Sequence, residues 1–124
     1  MRIHTTVMAG DDPVIMLEGP IPATKKALAR SGLRIEDFDV YEINEAFAPV
    51  PLAWAKVLGA DRKKLNVNGG SLAAAHPFAA TGGRIVASLA KQLNEDGKGR
   101  GVISICAAAG QGVVAILEAP GGAK

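Results

Sequence analysis

The chain has 124 residues, of which 48% are hydrophobic, 21% charged and only 4% aromatic. This is enough for one domain with a single core, which must be built from Ala, Val, Ile and Leu. A net charge of +2 gives no footing for nucleic-acid binding, and the one basic cluster, Arg62-Lys63-Lys64, reads as a solvated turn.

In chain order, residues 2 to 9 carry Ile3, Thr5, Thr6, Val7 and Met8 and favour strand. No apolar run here or later has the length of a signal peptide core or a membrane span, so neither is expected. Gly10-Asp11-Asp12-Pro13 turns the chain into a segment that holds Met16 and ends in Gly19-Pro20. Pro22 then stands in the first turn of a helix, where its missing N–H costs nothing, and the helix runs through Ala23, Ala27 and Leu28 to stop near Gly32. Leu33 to Asp37 is a polar connection.

Phe38 to Ile43 alternates and predicts a strand that runs directly into Asn44-Glu45-Ala46-Phe47. Pro49 and Pro51 mark the start of a second helix, through Trp54, Val57 and Leu58 to Gly59. Leu65-Asn66-Val67 reads as a short extended piece. From Asn66 to Arg84 small residues fill almost every place, with His76 between Gly69-Gly70 and Gly82-Gly83. Such a segment suits a backbone that passes close to other backbone or to a ligand, and it sets a titratable imidazole in a crowded, apolar place.

Thr81 is expected to cap a helix whose Ile85, Val86, Leu89, Ala90 and Leu93 recur at three- and four-residue spacing. Val102 to Cys106 and Val113 to Leu117 are buried-strand candidates joined by a turn. Residues 120–124 read as a flexible tail, which leaves 1–119 as the domain. Together these elements predict an α/β layered fold with a mixed, mostly parallel sheet of about five strands and helices on both faces.

Three polar positions have competing readings. Asn44 leaves the carboxyl end of a strand, where open α/β sheets bind ligands, yet it is also placed to cap the following helix. His76 is either a site group or a histidine satisfied by a backbone carbonyl, and the residues alone weigh these evenly. Cys106 is the only cysteine, so no disulfide forms within the chain and a reducing, cytoplasmic setting is expected. A lone cysteine ending an apolar strand is usually a small core residue, but one near a histidine exchanges protons at neutral pH. No metal site is expected.

The motifs NEAF at Asn44 to Phe47, GGSLAAAHPFAATGGR at Gly69 to Arg84 and CAAAGQG at Cys106 to Gly112 resemble, in order and spacing, those of the thiolases. These coenzyme-A-dependent enzymes make or cleave 3-ketoacyl thioesters. The segment DPVIMLEGPIPATKKAL resembles what precedes the motifs in that family, and the likeness runs from about Met8 to Glu118. It implies a thiolase-like layered fold.

The resemblance also implies roles. His76 activates the nucleophilic cysteine and helps bind a thioester oxygen. Cys106 is the second cysteine, the acid/base for the α-proton. Asn44 holds a water in one oxyanion hole, and the backbone N–H of Ala108 supplies part of the other. Met16 and Phe47 lie beside the pantetheine arm. Claisen chemistry needs just such a proton acceptor and fixed donors where negative charge develops.

Two positions depart from the family pattern: Ala75 and Ala109 stand where thiolases usually or often have glycine, adding a methyl each. The nucleophilic cysteine and the loop domain that carries most coenzyme A contacts have no counterpart here. The resemblance therefore implies a thiolase carboxyl-terminal domain that lacks turnover by itself and takes a coenzyme A thioester as substrate, with no permanently bound cofactor. Its partner is an amino-terminal half or a second subunit, and self-association is expected. The alternative is a non-catalytic domain that pairs with another protein, in which case the helix over 82–93 would show an apolar face. A ketoacyl synthase would have histidine where Cys106 stands. The HPFAAT wording leans toward fatty-acid oxidation.

Overall fold

The computed structural model describes residues 1–122. Its elements are β1 (Arg2–Gly10), α1 (Pro20–Ser31), β2 (Val40–Ile43), α2 (Pro49–Leu58), α3 (Ser71–Ala74), α4 (Thr81–Asp96), β3 (Arg100–Ala107) and β4 (Gln111–Glu118). One sheet carries the strands in the order β1-β4-β3-β2.

Proline and glycine set the first two helices. Each has proline in its first turn, and each ends on a left-handed glycine, Gly32 (φ 73°) and Gly59 (φ 67°), whose N–H returns to a carbonyl of the last turn. Alternation along the strands then sorts the core into two layers. Val7, Tyr41, Ile43, Val102, Val114 and Ile116 meet α1 and α2 on one face, around Ala23, Ala27 and the fully buried Trp54. The indole N–H of Trp54 donates to Thr24 Oγ1 at 2.9 Å, so the largest core side chain leaves no polar group unpaired. Val40, Ile103 and Leu117 meet Ile85, Leu89 and Leu93 of α4 on the other face. Each such side chain contributes roughly 1.5–3 kcal/mol when fully buried.

The sheet is mixed and has helices on both faces, as expected, but it differs in detail. Among the described residues four strands form rather than about five, because Leu65 makes only an isolated bridge to Tyr41. Only β2 and β3 pair in parallel; β1–β4 and β3–β4 are antiparallel, so the sheet is not mostly parallel. The reason is that β1 lies on the outer side of the β3–β4 hairpin instead of beside β2. The apolar face expected to stand open on the helix over 82–93 is instead covered: Ile85, Leu89 and Leu93 are at most 1% exposed. No helix among the described residues is long and apolar enough to cross a membrane.

The carboxyl end is tied back to the sheet. Arg2 and Arg100 both pair with the buried carboxylate of Glu118, and Gly99 N donates to Gly122 O at 2.9 Å. Of the tail expected over 120–124, residues 123 and 124 lie outside the described residues.

Candidate active site

The parallel β2–β3 ladder ends at Ile43 and Ser104, and Asn44 N extends it onto Ser104 O at 2.9 Å. Asn44 and the end of β3 that carries Cys106 therefore leave the sheet at the same carboxyl edge. Asn66 pins this edge: its side chain accepts from Ile43 N at 2.8 Å and donates to Ile43 O at 2.9 Å and to Glu45 Oε1 at 3.1 Å. The other Glu45 oxygen accepts from Leu72 N at 3.0 Å, which fastens the glycine-rich stretch to the strand end.

That fastening brings His76 onto Asn44, with Asn44 Nδ2 and His76 Nε2 3.3 Å apart. The other ring nitrogen, Nδ1, lies 2.7 Å from Thr81 Oγ1, whose single hydroxyl proton goes to Pro77 O at 3.0 Å. Thr81 must then accept from Nδ1–H. In a neutral ring Nε2 is then the nitrogen without a proton, and it accepts from the Asn44 amide. On the far side, Asn44 Oδ1 accepts from Ser71 Oγ at 2.7 Å, and Ser71 Oγ accepts from Arg84 Nη2 at 3.1 Å.

Neither of the structural partners considered for Asn44 and His76, a helix cap and a backbone carbonyl, is the one found. Asn44 is 2% exposed and spends its carboxamide on His76 and Ser71, not on a helix cap; the cap position of α2 is Ala48. His76 is satisfied by side chains and not by a backbone carbonyl, and Thr81 is the first residue of α4 rather than its cap. The surroundings of His76 are less crowded than expected. It is half-buried, residues 72–75 and 77–80 are exposed, and Phe78 meets its ring edge-on at 5.2 Å.

Cys106 is half-buried, and burial pushes its thiol above the ordinary value, so it is a protonated group at neutral pH. Among the described residues no hydrogen bond joins it to His76 or Asn44; what they share is the sheet edge. Ala108 is exposed in the β3–β4 turn, where its carbonyl accepts from Gln111 Nε2 at 3.2 Å. Met16 lies in the loop after β1, where its N–H donates to Asp12 O at 2.9 Å and Asp11 N donates to Gly110 O of that turn at 2.7 Å. Phe47 is 59% exposed beside Asn44 in sequence, with its ring toward solvent. A separate concavity along α4, lined by Asn68, Ser88, Lys91, Gln92 and Glu95, contains none of these groups.

The sequence reading missed Ser71, Thr81 as a histidine partner, Arg84, Glu45 and Glu42. The first four stand inside the quoted motifs without being singled out there; Glu42 stands outside them, a carboxylate inside an alternating strand at the position that shares a face with Val40. It is 3% exposed and its Oε1 has no hydrogen-bond partner. Burial pushes its carboxyl up to about 7, against the Arg84 guanidinium and with a smaller push from Glu45.

The two alanines that depart from the family pattern both stand at positive φ, Ala75 at 69° and Ala109 at 63°. Ala75, with ψ 169°, is in a region open almost only to glycine. Strain there costs of order 1–3 kcal/mol, and glycine's extra chain entropy returns part of the relief. Ala75→Gly is therefore expected to stabilise the domain by about 1 kcal/mol, read as a higher urea midpoint at constant slope.

The model of the thiolase carboxyl-terminal domain family matches residues 1–119. A steroid 3-ketoacyl-CoA thiolase of Mycobacterium tuberculosis is 46% identical over 117 residues, covering 94% of this chain and 29% of that protein. The acetyl-CoA acetyltransferase of Escherichia coli is 43% identical, covering 94% of this chain and 30% of its own length. Among solved structures, human mitochondrial 3-ketoacyl-CoA thiolase superposes with a TM-score of 0.91 at 43% identity, over 95% of this chain and 30% of that one. A thiolase from Ascaris suum in complex with coenzyme A gives 0.89 at 36% identity, over 94% of this chain and 30% of that one. The chain thus spans about three-tenths of the length of the relatives it matches.

Proposed function

This chain belongs to the thiolase family, and we propose that it supplies acid/base and oxyanion-binding groups for acyl transfer between coenzyme A thioesters. The observation that carries this reading is the Asn44–His76 hydrogen bond, which unites two motifs 32 residues apart at the edge where Cys106 emerges.

In this reading His76 Nε2 takes the proton of a cysteine nucleophile supplied by the rest of the enzyme. With Asn44, which positions a water, it then faces the thioester oxygen as charge develops there. Cys106, held as a thiol, is the acid/base that returns or removes the α-proton. The N–H of Ala108 is part of the second oxyanion hole. Met16 and Phe47, both exposed, flank the pantetheine arm of the substrate. The domain is residues 1–119, the coenzyme A thioester is substrate and not resident cofactor, and the compartment is reducing and cytoplasmic.

The test is 3-ketoacyl-CoA thiolysis by the chain alone and after mixing with an amino-terminal thiolase segment. Cys106 is the only cysteine, so activity is expected only in the mixture. Thiolysis by the isolated chain would refute the division of labour.

A second reading, a non-catalytic domain that pairs with another protein or with itself, draws on Phe78, Leu72 and Phe47, which are 90%, 67% and 59% exposed. A mixture that associates on size-exclusion chromatography yet shows no thiolysis is the result that selects it.

A further inference from the structure

Five polar side chains at the sheet edge, Arg84, Ser71, Asn44, His76 and Thr81, form one chain of hydrogen bonds, and its Arg84 end fixes which way round the Asn44 carboxamide sits. Arg84 has donors only, so Ser71 Oγ must accept from it at 3.1 Å. The one Ser71 hydroxyl proton is thereby free for Asn44 Oδ1, at 2.7 Å. Asn44 Oδ1 is thus held toward Ser71, and the amide Nδ2–H₂ faces His76 Nε2 at 3.3 Å. A carboxamide has nearly the same shape either way round, so packing alone does not choose between the two orientations. The Ser71 hydroxyl does.

We propose that Ser71, oriented by Arg84, is a positioning residue that fixes the Asn44 carboxamide and through it keeps His76 Nε2 unprotonated. This rests on the roles given to Asn44 and His76 above and deepens them. Its burial fits: Ser71 and Asn44 are 6% and 2% exposed, so water competes little for these bonds. With Ser71→Ala the amide loses its only described Oδ1 donor, and only the Nδ1–H···Thr81 bond on the far side of the ring still opposes its turning. When it turns, Oδ1 faces Nε2 and favours a proton there, at the expense of the Nδ1–H···Thr81 bond.

Imidazole ¹⁵N NMR of the chain reads the tautomer directly, at a pH where the ring is neutral. His4 is the only other histidine, and its Nδ1 meets Thr5 Oγ1 at 2.8 Å far along the chain, so it serves as an internal reference. Wild type is expected to show a pyridine-like Nε2 for His76. In Ser71→Ala that resonance is expected to move upfield toward the mean of the two tautomers, with His4 unchanged, and Ser71→Thr, which keeps a hydroxyl, is expected to restore it. An unshifted His76 in a folded Ser71→Ala chain, or a shift that Ser71→Thr fails to reverse in a folded chain, overturns the proposal. The measurement needs no turnover, so a failed thiolysis reconstitution would count against the functional reading and leave this result standing.

Discussion

Gly112→Ala is expected to abolish folding, or to cost about 4 kcal/mol or more if a folded state persists, a large part of the stability of an ordinary domain. Gly112 pairs with Cys106 across the β3–β4 ladder and with Ala9 across β1–β4, and the chain entering α1 crosses directly over it. A Cβ at this position would fall inside the contact distance of the Gly19 carbonyl and within 2.8 Å of Pro20 N. Both obstacles are backbone, held by the first turn of α1 and by two strand pairings, so neither yields by a side-chain rotation. Circular dichroism and urea titration measure the loss. Gly83→Ala is the control, because a Cβ there meets nothing within 4 Å in the exposed first turns of α4. It is expected to be stabilising by about 0.5–1 kcal/mol. Equal behaviour of the two variants would show that close approach at Gly112 is not what the site requires.

Glu42→Gln is expected to stabilise the domain at pH 8 and to do so much less at pH 4. The Glu42 carboxyl is raised to about 7, chiefly because burial penalises its charged form. Below its ordinary value of 4.5 the carboxyl is protonated in both folded and unfolded chains, and contributes nothing to the pH dependence. As pH rises from there to about 7 the unfolded chain releases the proton while the folded chain keeps it, so stability falls across that window and the loss is complete above it. A displacement of this size corresponds to about 3 kcal/mol at most, and relaxation around the charged form brings the expected effect to on the order of 2 kcal/mol. Glutamine has nearly the same shape and no charge to desolvate. Urea midpoints at the two pH values should therefore diverge, with the variant gaining on the wild type as pH rises. Parallel curves would mean that Arg84 fully compensates the buried charge.

Glu42 and Arg84 also show why part of the site was hidden from the sequence. Glu42 was visible as a charged residue in an alternating strand, but its meaning depends on which helix covers that face. Arg84 stood only as the last residue of a motif, and only the packing of α4 on β2 and β3 brings it near Glu42 and Ser71. Ser71 lay in a run of small residues that offered no reason to single out its hydroxyl. Thr81 was read as a helix cap accepting from a backbone N–H, whereas its hydroxyl donates to Pro77 O and lies against His76 Nδ1.

What the sequence determined by itself is whatever short-range chemistry dictates. Proline at helix starts, glycine at helix ends, alternation into β2, the apolar runs of β3 and β4 and the three-to-four spacing of α4 each depend on a few neighbouring residues, and each element is found where it was read. The motif residues Asn44, His76 and Cys106 were legible too, as residue types in an ordered pattern. Tertiary structure alone decided the pairing of β1 with β4, the direction of the Arg84–Ser71–Asn44–His76 hydrogen bonds and the strain at Ala75. Strand partners and hydrogen-bond donors are chosen by groups distant in the chain, and a pattern within one segment holds no information about which distant group will arrive.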